Sequence, residues 1–185
     1  FDTVNNPSPT GWSYGWTNTL GGFTLSTGTY SDSSIHVWGG FVSGDGNPSA
    51  YKRLSGDANG VLQGEAALHG GPNGEISIAR YTVPATSPYD VSALFGAGDV
   101  GAVDVYVLLN GSPIFSYLAQ SGGVGFAAPN VSLSAGDTLD FAVGTAGAFF
   151  FDSTPLSATI TAVPEPASMA VLGIGLAALR RRRRG

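Results

Sequence analysis

The chain has 185 residues, of which 43% are hydrophobic and only 11% charged, with 28 glycines, 11 prolines and no cysteine. That balance excludes a charge-rich disordered chain, a disulfide framework and any thiolate metal site, and leaves one ordinary domain with a short appendage. Five of the eight basic residues are the run 180–184, leaving Lys52, Arg53 and Arg80 against twelve acids before residue 163, so nucleic acid, whose phosphates need neutralising charge, is excluded as a partner.

From Phe1 to Thr161 glycine or proline interrupts every stretch before a 3.6-residue apolar stripe can form, so strands and turns are expected and helices are not. In GWSYGWTNT the rings of Trp12, Tyr14 and Trp16 alternate and share one strand face. Such a row can stack on the C–H faces of sugars, or it can fill a sandwich core. Both readings stand at this point, with Trp38 of SIHVWGG as a fourth candidate ring for carbohydrate. GGFTLST and SIHVWGG read as further strands.

Asp32, Asp45, Asp57 and Asp152 lie in loops rich in Gly, Ser and Asn. Loop aspartates of this kind close Asx-turns, and a group of them can hold a structural calcium. No other cofactor is expected. Next come VLQGEAALHG, then GEISIARYTV, which is apolar on both faces and therefore central or bulged, then YDVSALFG. GAGDVG (96–101) matches a dinucleotide-binding fingerprint by letter. A strand follows it, however, where that motif requires a helix, so it is a loop.

AVDVYVLLNG places Val103, Val105, Val107 and Leu109 on one face. Asn110-Gly111 signals a hairpin, with SPIFSYLA as its return. AGDTLDFAVG points Leu139, Phe141 and Val143 inward and Asp140 outward, and SATITAV closes the series. About nine to eleven short strands of this spacing give an antiparallel β-sandwich.

Enzymatic chemistry finds little support. His36 and His69 have no metal-type spacing. Asp137 and Asp140 project to opposite faces of one strand and cannot converge as a glycosidase requires, Asp99 and Asp104 flank a strand start where a solvated role is typical, and Glu65 and Glu75 fall on different strands, whose separation the sequence does not give. The expected protein is not an enzyme.

Leu68-His69-Gly70, Arg80-Tyr81-Thr82-Val83-Pro84, 103–111, 135–144 and Phe151-Asp152-Ser153-Thr154 together resemble a galactose-binding-like jelly roll spanning 64–160. Gly70-Gly71 stands where relatives have proline after the histidine. The resemblance implies a fold and no activity.

The chain ends in Pro164-Glu165-Pro166, then thirteen uncharged residues from Ala167 to Leu179, then Arg180, Arg181, Arg182, Arg183 and Arg184. As a helix the apolar run reaches about 20 Å, short of the ~30 Å hydrocarbon core. The arginines set its C-terminus on the cytoplasmic side. This arrangement resembles the PEP-CTERM sorting signal. The resemblance implies export, transient retention in the inner membrane and processing by an exosortase near the Pro-Glu-Pro.

The expectation is thus an all-β jelly-roll domain over 1–162 and a sorting signal with a short hydrophobic helix over 163–185. It is displayed on the cell surface or in the extracellular matrix of a bacterium, with exopolysaccharide, or further copies of itself, as partner.

Overall fold

Asn110 and Gly111 both take positive φ, 50° and 77°, and pair Leu109 directly with Ser112, the two-residue turn that an Asn-Gly step favours. The Asn110 side chain donates to Asp137 Oδ1 at 3.0 Å and accepts from the Thr138 amide at 2.9 Å, tying the hairpin to the next strand of its sheet. Alternating patterns of this sort run along the whole of the computed structural model, which describes residues 1–39 and 48–164.

Five strands come first: β1 (Trp12–Thr17), β2 (Thr24–Leu25), β3 (Gly28–Ser31), β4 (Ile35–Gly39) and β5 (Ser49–Arg53). Eight follow: β6 (Ala66–His69), β7 (Ile76–Thr82), β8 (Ser87–Phe95), β9 (Val103–Leu109), β10 (Ser112–Gln120), β11 (Val124–Leu133), β12 (Thr138–Thr145) and β13 (Thr154–Ala162). No helix occurs among the described residues; the expected hydrophobic helix, Ala167–Leu179, lies outside them.

Every pairing is antiparallel. One sheet has the order β10-β9-β12-β7-β1-β2 and the other β11-β8-β13-β6-β5-β4-β3. Strands β6 to β13 alone make two four-stranded sheets, β7-β12-β9-β10 and β6-β13-β8-β11, which is the double Greek key of a jelly roll. The expected jelly-roll span of 64–160 therefore coincides with these eight strands. The first five strands widen both sheets from one side.

The core lies between the sheets. Val103, Val105, Val107, Leu139, Phe141 and Val143 face Leu68, Val91, Phe95 and Leu133, all nearly inaccessible; each such side chain contributes about 1.5–3 kcal/mol by leaving water. β7 is apolar on both faces because it is central, paired with β1 and β12 in unbroken register. Its Ile78, with Leu108 and Ala142, packs outside the main core beneath Phe23, Ile76 and Tyr106.

That outer layer corrects one expectation. Asp140 does face away from the inter-sheet core, but it is fully buried. Arg80, directly opposite on β7, grips it with two bonds of 2.6 and 2.7 Å, and the guanidinium lies 4.0 Å from the centre of the Phe23 ring. A bidentate, charge-assisted pair of this kind is what allows a carboxylate to be buried here.

Candidate functional site

The aromatic row of β1 turns inward. Tyr14 is 3% exposed and Trp38 9%, so neither can meet a polysaccharide, and the expectation of an open Trp12–Tyr14–Trp16–Trp38 surface is corrected for these two. The reason is register: β1 sits between β7 and β2, and the face carrying Tyr14 points at the opposite sheet. Tyr14 stacks on Phe1 at 4.3 Å, and its hydroxyl accepts from the Asp2 amide at 3.0 Å. Burial pushes this phenol up to about 12. Trp38 donates its indole N–H to the Asp2 carbonyl at 2.9 Å.

Trp12 is half-buried against Tyr81 and Phe141. With Phe1 and Tyr14 it lines an inter-sheet cavity of about 260 Å³ whose other walls include Leu68, Ala79 and Leu156. Trp16 remains half-exposed at the far end of the strand.

The loop carboxylates are mostly consumed where they stand. Asp32 accepts from the Ser34 and Ile35 amides, the Ser34 hydroxyl and the Tyr30 hydroxyl at 2.7–3.0 Å, and these bonds, the Ser34 amide first, hold its carboxyl down at about 2. Asp57 accepts from the Gln63 amide, Asp137 from Ser134 and Asn110, Glu65 from Leu62 and Glu75 from Asn73. Asp45 lies outside the described residues. Among those residues no three acids or histidines gather as a metal cage, so Asp32, Asp57 and Asp152 do not meet around one ion. The histidines are also apart from any such group: His36 is buried, edge-on to Trp38 at 5.2 Å, and His69 Nδ1 bonds the Gly70 carbonyl at 2.7 Å.

Asp152 is the exception. It is 1% exposed, and neither of its carboxylate oxygens has a hydrogen-bond partner. Burial, then Asp104, then Asp99, pushes its carboxyl up to about 7. The surroundings are an apex of stacked loops. The β8–β9 loop is laced to the segment after β12 by the amides of Gly96, Asp99 and Gly101, which donate to the carbonyls of Pro155, Ser153 and Phe151 at 2.8–3.0 Å.

The backbones can approach this closely only because glycines line the contact. A β-carbon on Gly98 would fall 1.8 Å from the Ser153 oxygen, and one on Gly60, in the β5–β6 loop, 1.7 Å from the Gly98 oxygen; both glycines also take positive φ.

Three phenylalanines, Phe149, Phe150 and Phe151, directly precede Asp152 in the chain. Phe149 and Phe150 lie 4.1 Å apart, Phe150 and Phe151 are 64% and 60% exposed, and Val100 on the adjoining loop is 83% exposed. Phe151 holds a φ of 66°, which is costly for a side chain of this size. The result is a pair of exposed rings, Phe150 and Phe151, immediately before the buried Asp152. Sequence reasoning used Phe151-Asp152-Ser153-Thr154 as a fold marker and Asp152 as a candidate calcium ligand, and did not single out the rings. The available signal was the run AFFFD itself: strand alternation cannot bury three consecutive rings, so some must face water.

Residues 162–184 match the PEP-CTERM protein-sorting motif. Pro164 is the last residue described; Glu165, Pro166 and Arg180–Arg184 lie outside the described residues. No curated protein matches the chain. Among solved structures, the native family 35 carbohydrate binding module from Clostridium thermocellum is 12% identical over 58% of this chain and 85% of its own, with a TM-score of 0.38. The Podospora anserina GH26-CBM35 β-(1,4)-mannanase is 20% identical over 73% of this chain and 29% of its own, with a TM-score of 0.41. A family 35 carbohydrate binding module from an environmental isolate is 18% identical over 50% of this chain and 73% of its own, with a TM-score of 0.31. Scores at this level leave the jelly-roll assignment resting on the strand order itself. The sorting motif marks an exported protein, made as a C-terminally anchored precursor and processed for display at the cell surface or in the extracellular matrix.

Proposed function

We propose that this displayed jelly roll is a non-catalytic module that associates with extracellular polysaccharide through the ridge formed by Phe150 and Phe151. The observation that carries the reading is the exposure of those two rings, 64% and 60%. Flat apolar faces suit the C–H faces of a sugar. A body with so few basic residues is poorly suited to polyanions, so a neutral or weakly charged glycan is the partner that fits. The tail then brings the protein to the compartment where such a polymer lies. Exosortase and the inner membrane are its partners only during processing.

A second reading has an observation of its own. Edge strand β10 exposes Ile114, Tyr117 and Leu118 at 44%, 52% and 63%, and an open apolar edge favours self-association. Its ladder is broken, however, by Pro113 and by register shifts between Pro113 and Phe115 and between Tyr117 and Gln120, devices that discourage edge pairing.

Co-sedimentation with exopolysaccharide, run beside light scattering, separates the two. The module reading expects a monodisperse protein that co-sediments and loses this in Phe150→Ala/Phe151→Ala. Concentration-dependent growth abolished by Leu118→Lys, with no co-sedimentation, favours the edge instead.

A further inference from the structure

The last strand of the sandwich has one finished edge and one open edge. Along β13 the Gly96 amide donates to the Pro155 carbonyl and the Val163 amide to the Pro88 carbonyl, both at 2.8 Å. Between them Ser157, Thr159 and Thr161 stand opposite Leu94, Ser92 and Asp90. Bonded and non-bonded pairs alternate in an antiparallel ladder, so these residues bond β8, while Ala158 and Ile160 turn their N–H and C=O groups the other way. On that side β6 pairs only with Thr154 and Pro155. It begins at Ala66, and before it the chain is drawn off towards β5, where the Arg53 amide donates to the Glu65 carbonyl and the Gly64 amide to the Arg53 carbonyl. Among the described residues no strand continues the ladder beside Ala158 and Ile160.

The aromatic cavity lies against the same stretch. Its space of about 260 Å³ is walled by Leu156, Ser157 and Ala158 on one side and by Phe1, Trp12 and Tyr14 on another. A free ladder offers main-chain bonds to an extended segment, and a pocket beside it takes that segment's alternate side chains; together they make a site for strand addition. Unlike β10, this edge carries no guard: between Leu156 and Ala162 there is no proline, no charge and no break in register.

Its position in the chain says what the edge serves. The sorting motif begins at Ala162, the last residue of β13, and about 20 Å of extended chain separates Ala158 from Pro164. We propose that the open edge of β13 is the docking site of the enzyme that processes the sorting motif. An extended segment of that enzyme pairs with Ala158 and Ile160 and places a large apolar side chain in the cavity. The residues leading to the cut are thereby presented already extended, with β13 still zipped to β8. This inference rests on the tail being an exosortase substrate and is independent of the glycan.

The test is conversion of the full-length precursor in the producing bacterium, followed by immunoblot, beside amide hydrogen exchange of the full chain in mild detergent. Ala158→Pro removes one outward N–H at an edge position, where proline is tolerated. It should slow conversion about tenfold, the effect of one main-chain hydrogen bond, with cooperative unfolding retained. Ala158→Lys keeps the N–H but sets a charge in the cavity wall; it should slow conversion similarly, and serves if the proline variant does not fold. Thr159→Ala, on the exposed face, should convert like the parent. The amides of Ala158 and Ile160 should exchange roughly a hundredfold faster than those of Ser157, Thr159 and Thr161. Equal conversion of the parent and both Ala158 variants overturns the docking edge and leaves the sorting role intact. A parent converted no better than Pro164→Ala/Glu165→Ala/Pro166→Ala overturns the sorting role and the docking edge with it. Slow exchange at Ala158 and Ile160 means that the edge is already covered and overturns the proposal. So do Ala158 variants that convert normally but lose a self-association shown by the parent, which would give the edge to a second copy of the chain.

Discussion

Asp32 and Asp152 stand in nearly the same local sequence, Asp32-Ser33-Ser34 and Asp152-Ser153-Thr154, yet they end in opposite environments. The first faces water in the short connection between β3 and β4, and accepts bonds from the amides two and three residues on, those of Ser34 and Ile35. The second is roofed by two other loops and accepts none. The difference is made by Gly60, Gly98 and Gly101, distant in sequence, which let three backbones stack where side chains would have kept them apart. An Asp-Ser step is therefore an Asx-turn only where its loop has room to curl around the carboxylate; packing decides the rest.

Asp140 lies between these two cases, buried like Asp152 but paired, and it allows the strongest perturbation. Arg80→Ala strands Asp140 without a partner, in effect creating a second Asp152. The expected cost is about 3–5 kcal/mol in denaturant unfolding; a loss below about 1 kcal/mol would mean that water reaches Asp140 and that the contrast with Asp152 is smaller than described.

The next effect concerns pH, and its sign differs between the two aspartates. Asp152 is raised to about 7, so its contribution is full below the ordinary carboxyl value of about 4 and is lost as pH rises through about 7. Asp32 is lowered to about 2, so its contribution is present above that ordinary value and lost as pH falls toward about 2. The Asp152 contribution should therefore lower Tm by several degrees between about pH 5 and pH 8, partly offset by His36, which burial lowers and which contributes with the opposite sign. Tyr51, raised by burial, titrates well above this window. Asp152→Asn should flatten that slope and Asp32→Asn should not; a slope unchanged in Asp152→Asn would assign it to another group.

The smallest effect sharpens the comparison from the satisfied side. Asp32→Asn keeps one acceptor oxygen for the turn, and the site is solvent-exposed, so Tm should drop by no more than about 1–2 °C at pH 7. A larger drop would show that the β3–β4 connection bears more of the fold than its exposure suggests.

The architecture was largely legible because alternation and turn chemistry agree in β6 to β13: the Val103–Leu109 stripe, the Asn110-Gly111 hairpin and the two-faced apolar β7 all find their places. Three strands were missed for local reasons. β3 is written in the Gly-Thr-Tyr-Ser vocabulary of turns, and β5 follows a Gly/Asn/Pro stretch. β11 contains Pro129 and Asn130, tolerated because it is an edge strand with a bulge between Ala128 and Val131. The site was less legible. Alternation correctly grouped the β1 rings, but it cannot say which face of a strand meets the opposite sheet. Likewise, nothing within ten residues of Asp152 signals that Gly60 belongs to its roof.

The most direct test of the account is calorimetric titration of the full chain, in mild detergent, with neutral exopolysaccharide, beside Phe150→Ala/Phe151→Ala. Both rings are exposed, so the double variant should unfold within about 0.5 kcal/mol of the parent for each substitution. The account predicts saturable binding by the parent and its loss in the variant at nearly unchanged Tm. Equal binding by the two proteins, or no binding by a folded parent, would contradict it.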